Sequence, residues 1–322
     1  MNQRRVVITG MGTVNPLGND TAASWAAAKA GQNGIAPITQ FDAGDLKVQI
    51  AGEVKDLDIS PVISRKDARH MDRFTQFAMV AAHEAMTAAG LDMAREADPT
   101  RCGVIFSSGI GGIGTIADSQ DRGRDKGFDR VSPFFVPSSI ANMAAGQIAI
   151  AYGFQGYSTC VVTACASSNN AIGDAFRQIR DGYADVMMAG GAEASVTPLC
   201  IGGFTSMKAL CTTNDPDRAS TPFDADRSGF VMGEGAGALI LESLEHAEAR
   251  GAAILGEVVG YGTSTDAYHI TAPQPEGRGA IVAMQKALSD AGIAPNAIDY
   301  INAHGTSTSM NDAIEKIGRA HV

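Results

Sequence analysis

The residue best placed to do chemistry is Cys165, inside the stretch YSTCVVTACASSNNAIGDAFRQI at 157–179. The β-branched run 158–163 predicts a buried strand. The chain then turns through Ala164-Cys165-Ala166. Apolar Ala171, Ile172, Ala175, Phe176 and Ile179 recur at helical spacing beyond polar Ser167, Ser168, Asn169 and Asn170, which predicts an amphipathic helix. Cys165 therefore falls where a strand ends and a helix begins. Such a junction projects a side chain from the sheet edge, and the positive end of the helix dipole favours thiolate over thiol. Flanking alanines leave room for a tight turn and a substrate. The arrangement follows the logic of a nucleophile elbow with cysteine in the place of serine. An arbitrary cysteine is more often a buried structural one; here the flanking pattern favours the nucleophile.

The second polar cluster is Asn302-Ala303-His304-Gly305-Thr306-Ser307-Thr308. It follows an apolar run at 297–303 that predicts a strand, so His304 is expected to project from a strand end as Cys165 does. Three hydroxyl residues and a glycine after it can position an imidazole and hydrogen-bond a polar ligand. A thiol and an imidazole at equivalent sheet ends can converge as nucleophile and acid, base or hydrogen-bond donor.

Other motifs carry less. The segment 109–114, GIGGIG, fits the dinucleotide fingerprint G-x-G-x-x-G after a strand. The helix expected after it is poor, and no second strand ending in an acid follows about 20 residues on. The run reads as close backbone packing, as does 233–237, GEGAG, which precedes a strand. His269 lies in a loop segment, DAYHIT, able to line a site. His70, His83 and His246 read as structural or solvated. Arg65, Lys66, Arg69 and Arg73 form a basic cluster that reads first as a solvated face and second as a dock for an acidic partner.

The elements that must position these groups alternate strand and helix. Strands are predicted at 5–12, 101–108, 184–191 and 237–242. Helices are predicted at 21–30 with Asp20 or Thr21 as cap, at 72–89 stopped by Gly90, at 138–151 and at 244–250. Residues 31–70 read as a polar surface excursion, 118–137 as a long loop or insertion, and 197–230 as loop-rich. Near 253 the pattern starts again, with a strand at 254–262, a helix at 279–291 and the strand at 297–303. Such alternation means an α/β fold with helices covering sheets. The chain of 322 residues is 45% apolar, enough for a sizeable core, and carries a formal charge of −10, which argues against a nucleic-acid partner. No apolar run reaches membrane-spanning length, and the first residues read as the start of a strand and not as a signal peptide. Five cysteines without metal-type pairing are expected to be reduced thiols in the cytoplasm.

Taken together, VVITGMGTVNPLG, SGIGG, SPFFVPSSIANMAAGQIAI, TACASS, DVMMAGGAE, GGFTSMKAL, STPFDADRSGFVMGEGAG, DAYHIT and NAHGTST resemble the β-ketoacyl-[acyl-carrier-protein] synthases of the thiolase superfamily, most closely the type II condensing enzymes (KAS II). The resemblance runs from Val6 to about Glu315. It implies a thiolase-like α/β fold with a duplicated βαβαβ five-layered core, usually in a homodimer. The N-terminal half would span 1–252 with insertions, and 253–315 would form an incomplete C-terminal half. The implied reaction is decarboxylative Claisen condensation for fatty-acid chain elongation. Acyl-carrier protein is the implied partner in its acyl and malonyl forms, and no metal or nucleotide is required. Cys165 would hold the acyl chain as a thioester, its backbone N–H forming half of an oxyanion hole worth roughly 3 kcal/mol per donor. His304 would polarise the malonyl thioester carbonyl. Thr306 and Thr308 match positions that bind the pantetheine arm. Ile110 matches a gate in the acyl tunnel, Phe204 a pocket wall, and Phe135 a dimer-interface residue reaching the partner's pocket. Lys66 and Arg69 fall near the carrier-protein docking patch.

The chain departs from the family pattern in three ways. Ser309 stands where a proline is usual after HGTST. The family's second catalytic histidine, its active-site lysine and the glycine–phenylalanine loop all belong beyond His304, and Glu315 matches the acid that pairs with that lysine. The last residues, 316–322 (KIGRAHV), resemble the translation of a sequencing adapter. The expectation is a C-terminally truncated chain, itself inactive in condensation, from a parent that is active. Three other classes compete. A nicotinamide oxidoreductase would use 109–114. A thiolase would use a second cysteine and coenzyme A substrates. A non-catalytic chain-length partner would lack the nucleophile, so Cys165 argues against it. A polyketide-type synthase is the alternative within the family.

Overall fold

A computed structural model describes residues 3–95 and 98–320, with the side chains of 317–320 left aside. In chain order the elements are β1 (Val6–Val14), α1 (Thr21–Lys29), β2 (Ala36–Pro37), β3 (Ile50–Ala51), α2 (Arg65–Ala68), α3 (Arg73–Ala89), β4 (Cys102–Ser107), α4 (Ile113–Lys126), α5 (Phe135–Ser139), α6 (Met143–Tyr152), β5 (Ser158–Thr159), α7 (Ser167–Arg180), β6 (Val186–Glu193), α8 (Pro198–Ser206), β7 (Gly235–Ser243), α9 (Leu244–Ala249), β8 (Gly256–Val258), α10 (Arg278–Ala291) and α11 (Ser309–Ala320). The chain divides into two compact units. The first comprises residues 1–34, 52–197 and 233–258; the second comprises 35–51, 198–232 and 259–322.

The first unit is built on a six-stranded mixed sheet in the order β5-β4-β6-β7-β1-β8. Strands β5, β4 and β6 are parallel; β7 runs antiparallel to β6 and to β1, and β8 antiparallel to β1. The side-chain period of a strand sorts the core. Val104, Phe106, Val186 and Met188 point to one face, where they pack with Phe74, Phe77, Ala78, Ala81, Ala85 of α3 and Ala144, Ala145 and Ile148 of α6. Helix α7 packs on β6 and β4 without joining that cluster, burying Ala171, Ala175, Phe176 and Ile179. Helices therefore cover both faces, as strand–helix alternation requires. Asp20 caps α1 as expected, accepting from the Ala23 N–H, and Gly90 stops α3 as expected in the left-handed region (φ 59°), while Asp72 is the N-cap of α3 and not its first residue.

The second unit holds the β2–β3 ladder, α8, α10 and α11. Buried Ile50, Cys211 and Ala219 pack with Ile35 and Val231. The loop at 221–229 is tied to α11 by Asp312, which accepts from the Phe223 N–H at 2.7 Å and pairs with Arg227 at 3.5 Å.

Several expectations need correction. The strand at 158–163 shrinks to Ser158–Thr159, half-buried to exposed, because β5 is the sheet edge and has only β4 to pair with. The expected loop at 118–137 is largely helix: α4 runs to Lys126 and α5 begins at Phe135. Only Gly123 of α4 is buried, so its sequence carries no apolar stripe to read. The helix at 138–151 is two, broken at 140–142. Residues 31–70 are not wholly superficial, since Val48, Ile50 and Ala51 are buried. The strand at 254–262 is only Gly256–Val258, and it closes the first unit's sheet through Val6↔Val258. The strand at 297–303 does not form. A strand exists by pairing, and among the described residues of the second unit the only ladder is β2–β3. Of 316–322, the last two residues lie outside those described.

Candidate active site

Because β4, β5 and β6 are parallel, the segments leaving their C-terminal ends emerge at one edge of the first unit's sheet. Two of those segments carry Ile110 and Cys165, and Glu193 is the last residue of β6. This edge is where open α/β sheets hold their reacting groups.

Cys165 lies in a single 3-10 turn, Ala164–Ala166, that leads directly into α7. The turn is strained and braced. Ala164 sits in the left-handed region (φ 51°), which costs a non-glycine residue about 1–2 kcal/mol. Ser167 compensates twice: its hydroxyl donates to the Ala164 carbonyl at 2.7 Å and accepts from the Thr163 N–H at 2.8 Å. Thr163 Oγ1 reaches Asn170 Oδ1 at 2.7 Å, one turn into the helix. Strain held by its surroundings marks functional turns. The result is an exposed thiol two residues ahead of a 14-residue helix whose N-terminal N–H groups stabilise negative charge. Cys102, Cys200 and Cys211 are buried. Cys160 is half-buried, its thiol pushed up chiefly by burial.

The glycine-rich turn after β4 is occupied by the protein itself. The Glu193 carboxylate accepts from the N–H groups of Gly109 at 2.7 Å and Ile110 at 3.2 Å, and from the hydroxyls of Ser195 at 2.9 Å and Ser108 at 3.3 Å. The Gly111 N–H donates to Ser108 Oγ and the Gly112 N–H to the Ser139 carbonyl. Helix α4 follows, better formed than its sequence suggests, so strand, glycines and helix come in dinucleotide-site order. The amides that would cradle a pyrophosphate are already spent on Glu193, Ser108 and Ser139, which removes the basis for a nicotinamide site here. Burial pushes the Glu193 carboxyl up, against the pull of these donors. Sequence reading passed over this residue; its only signal is an acid closing an otherwise apolar strand.

A cavity of about 320 Å³ lies beside α7, lined by Gly12, Ser168, Ile172, Gly190 and Gly237 among others. Cys165 is not part of its wall.

In the second unit His304 is exposed in an irregular segment that Glu315 pins. The Glu315 carboxylate accepts from the backbone N–H of His304 at 2.6 Å and of Gly305 at 2.8 Å. Thr306 and Thr308 join their hydroxyls at 2.9 Å. Ser307 between them is fully buried with φ 66°, its N–H donating to Asp312 and its hydroxyl accepting from the Thr221 N–H. Thus a pair of hydroxyls is held on a rigid turn, and buried Asp312 is the brace the sequence reading missed. Phe204 stacks edge-on against Phe230 at 5.4 Å. His269 is exposed, its Nδ1 accepting from the N–H groups of Thr271 and Ala272.

Of the remaining expected site residues, Phe135 is half-buried at the start of α5, and Ile110 is 41% exposed. Lys66 and Arg69 are exposed on and beside α2. The basic cluster loses Arg73, which pairs with buried Glu234 at 2.7 Å and donates to the Val54 carbonyl. Site residues of the first unit are Lys66, Arg69, Ile110, Phe135 and Cys165; those of the second are Phe204, His269, His304, Thr306, Thr308 and Glu315.

Comparison with known proteins is consistent across three kinds of evidence. Residues 3–247 match the family model for the beta-ketoacyl synthase N-terminal domain, and residues 255–322 match that for its C-terminal domain. The chain is 52% identical over 316 residues to the 3-oxoacyl-[acyl-carrier-protein] synthase 2 of Synechocystis, covering 98% of this chain and 76% of that protein. It is 52% identical over 312 residues to the protein of the same name from Staphylococcus aureus strain COL, covering 97% and 75%. Among solved structures, a beta-ketoacyl synthase from Burkholderia phymatum superposes with a TM-score of 0.89 at 35% identity, covering 98% of this chain and 78% of that one. A ketosynthase assembly from a type II polyketide system, described as a complex with its acyl-carrier protein, gives 0.88 at 34%, covering 98% and 76%. Among the described residues no helix is long and apolar enough to cross a membrane.

Proposed function

Because the chain belongs to the β-ketoacyl synthase family, we propose that it carries the acyl-accepting machinery of a 3-oxoacyl-[acyl-carrier-protein] synthase of the type II, chain-elongating kind, with Cys165 as nucleophile. The Cys165 thiolate attacks the thioester carbonyl of an acyl-carrier protein. The tetrahedral oxyanion is met by the Cys165 N–H, worth roughly 3 kcal/mol per donor. The C–S bond to the pantetheine breaks, its sulfur leaves as the thiolate in exchange for the Cys165 thiolate consumed, and the acyl chain remains as a thioester on Sγ. Malonyl-carrier protein then binds. Its C–CO2 bond breaks, the electron pair moves into the thioester enolate, and that carbon attacks the acyl-cysteine carbonyl, expelling the Cys165 thiolate. His304 donates to the malonyl thioester oxygen as charge develops there. Thr306 and Thr308 orient the pantetheine arm, Ile110, Phe135 and Phe204 border the acyl chain, and His269 lines the approach. The convergence of Cys165 and His304 is part of this proposal.

The single observation that carries the reading is the exposed thiol on a strained, braced turn at the N-terminus of α7. The carrier protein is read as an acidic partner meeting exposed Lys66 and Arg69. A homodimer joined at the β5 edge is supported by that strand's unpaired side and by exposed Tyr157, Val162, Ile140 and Ile150. The place of action is the cytoplasm. The 52% relatives are named 3-oxoacyl-[acyl-carrier-protein] synthase 2, whereas a polyketide-type neighbour stands at 34%, which favours elongation of fatty acyl chains.

The test is acyl transfer to the protein from acyl-carrier protein set beside acetyl-CoA. The reading expects acylation of Cys165 from the carrier protein. His304→Ala should leave that acylation nearly intact, whereas Cys165→Ala should abolish it. Preference for acetyl-CoA, or an acyl group that survives Cys165→Ala, refutes it.

A further inference from the structure

We propose that Glu193 is a positioning residue that sets acyl-chain-length selectivity by fixing the 108–111 turn that carries Ile110. The inference rests on the reading above, in which Ile110 borders the acyl chain. In the parallel ladder Ser107 lies opposite Gly191, so Glu193, two residues further along β6, comes level with the turn that leaves β4. One carboxylate oxygen takes both the Gly109 and Ile110 amides, and the other takes the hydroxyls of Ser195 and Ser108. Ser108 in turn takes the Gly111 amide at 2.9 Å. The amides of Gly109, Ile110 and Gly111 thus end on Glu193 or on the hydroxyl it holds.

The approach is close enough to dictate residue type. A Cβ on Gly109 would lie 2.9 Å from Glu193 Oε2. Ser108 and Ser195 are both buried, so the donors around the carboxylate have no solvent to turn to. The consequence is a fixed backbone under a partly exposed residue: the Ile110 amide is anchored while the residue stays 41% exposed. A branched apolar group on a rigid mount excludes or admits methylene groups at a fixed distance. On a loose mount it yields to any chain. Methylene-level discrimination in apolar pockets is sensitive to shifts of this kind.

What the turn requires of residue 193 is an acceptor at the right reach. A glutamine can turn its carbonyl oxygen to the two amides and its NH2 to the two hydroxyls, which accept as well as donate. Alanine supplies nothing, and aspartate is one methylene short. The experiment compares wild type, Glu193→Gln, Glu193→Ala, Glu193→Asp and Ser108→Ala. It reads amide hydrogen exchange of residues 108–114 and the ratio of Cys165 acylation rates from octanoyl- and palmitoyl-carrier protein. Glu193→Ala and Glu193→Asp should speed exchange by about tenfold or more and change the chain-length ratio by about fivefold or more. Ser108→Ala should do so to a smaller extent, and Glu193→Gln should stay within about twofold of wild type on both readouts. Faster exchange with an unchanged ratio overturns the proposal, as does unchanged exchange, as does a Glu193→Gln that fails as badly as alanine. Should Glu193→Ala not fold, the aspartate and Ser108→Ala variants decide on the same criteria. If wild-type Cys165 takes no acyl group from either donor, the underlying reading falls first, and the proposal with it.

Discussion

The carboxylate of Glu315 holds the backbone of His304, accepting from its N–H at 2.6 Å while its second oxygen takes the Gly305 N–H at 2.8 Å. A helix side chain thereby fixes the loop from which the imidazole projects. Charge-assisted hydrogen bonds of this kind contribute about 1.5–3 kcal/mol each. Both groups are partly open to water, which puts these two at the lower end. Glu315→Ala should speed amide exchange at 304–305 by about tenfold or more. Glu315→Gln, which keeps one good acceptor, should fall between. Exchange unaffected by either variant would show that the loop is held by something else.

Asp312 is the buried brace of the same segment. It accepts from the Phe223 N–H at 2.7 Å and the Ser307 N–H at 3.2 Å, and faces Arg227 at 3.5 Å. Removing one member of a buried charged group leaves its donors unsatisfied, at a cost of about 3 kcal/mol or more. Asp312→Ala should therefore lower the unfolding midpoint in urea clearly more than Glu315→Ala does. Equal midpoints would contradict the assignment of Asp312 as the principal tie.

In the first unit the corresponding tie is Glu242, whose side chain is 0% exposed. Burial alone would push its carboxyl up. Arg250, His246 at 2.5 Å and Thr9 outweigh burial and hold it at about 2, below the ordinary 4.5. A carboxyl depressed in the folded state stabilises the fold above its unfolded value, and that contribution is lost as pH falls from 4.5 towards 2. Integrated over that shift it is of order 3 kcal/mol at neutral pH. Arg250 also donates to the Ala89 carbonyl at the end of α3, so Arg250→Ala breaks two links. The expected outcome is a loss of about 3–5 kcal/mol at pH 7 and a shallower fall in stability between pH 4.5 and 2. An unchanged acid slope would mean that another carboxyl governs acid unfolding.

Local chemistry was legible where it was periodic or punctuated. Asp20, Asp72 and Gly90 delimit helices because caps are local hydrogen-bond solutions, and the Cys165 junction was readable because helical spacing resumes immediately after it. What escaped depends on partners far along the chain. The strand expected at 297–303 needs a neighbour that sequence spacing does not supply. Helix α4 was hidden by its charged surface, of which only Gly123 is buried. Glu193 meets the 108–110 turn across more than 80 residues, and Asp312 meets Phe223 across 89, distances over which no periodicity speaks. Arg73 looked like part of a basic face and is instead the partner of buried Glu234.

The five cysteines differ enough to be told apart chemically. Cys102, Cys200 and Cys211 are buried and Cys160 is half-buried with its thiol pushed up by burial, whereas Cys165 is exposed ahead of α7. Reactivity follows exposure and thiolate fraction. Limiting iodoacetamide on the folded protein should label Cys165 at least about tenfold faster than any other cysteine. Uniform labelling of folded protein would count against an activated thiol.

The most direct measurement is the mass of the protein and of its Cys165 peptide after exposure to palmitoyl-carrier protein and an acid quench. The account predicts one acyl group added, recovered on the peptide containing Cys165, sensitive to hydroxylamine and absent from Cys165→Ala. An unmodified protein, or an acyl group that survives the Cys165→Ala substitution, would contradict it.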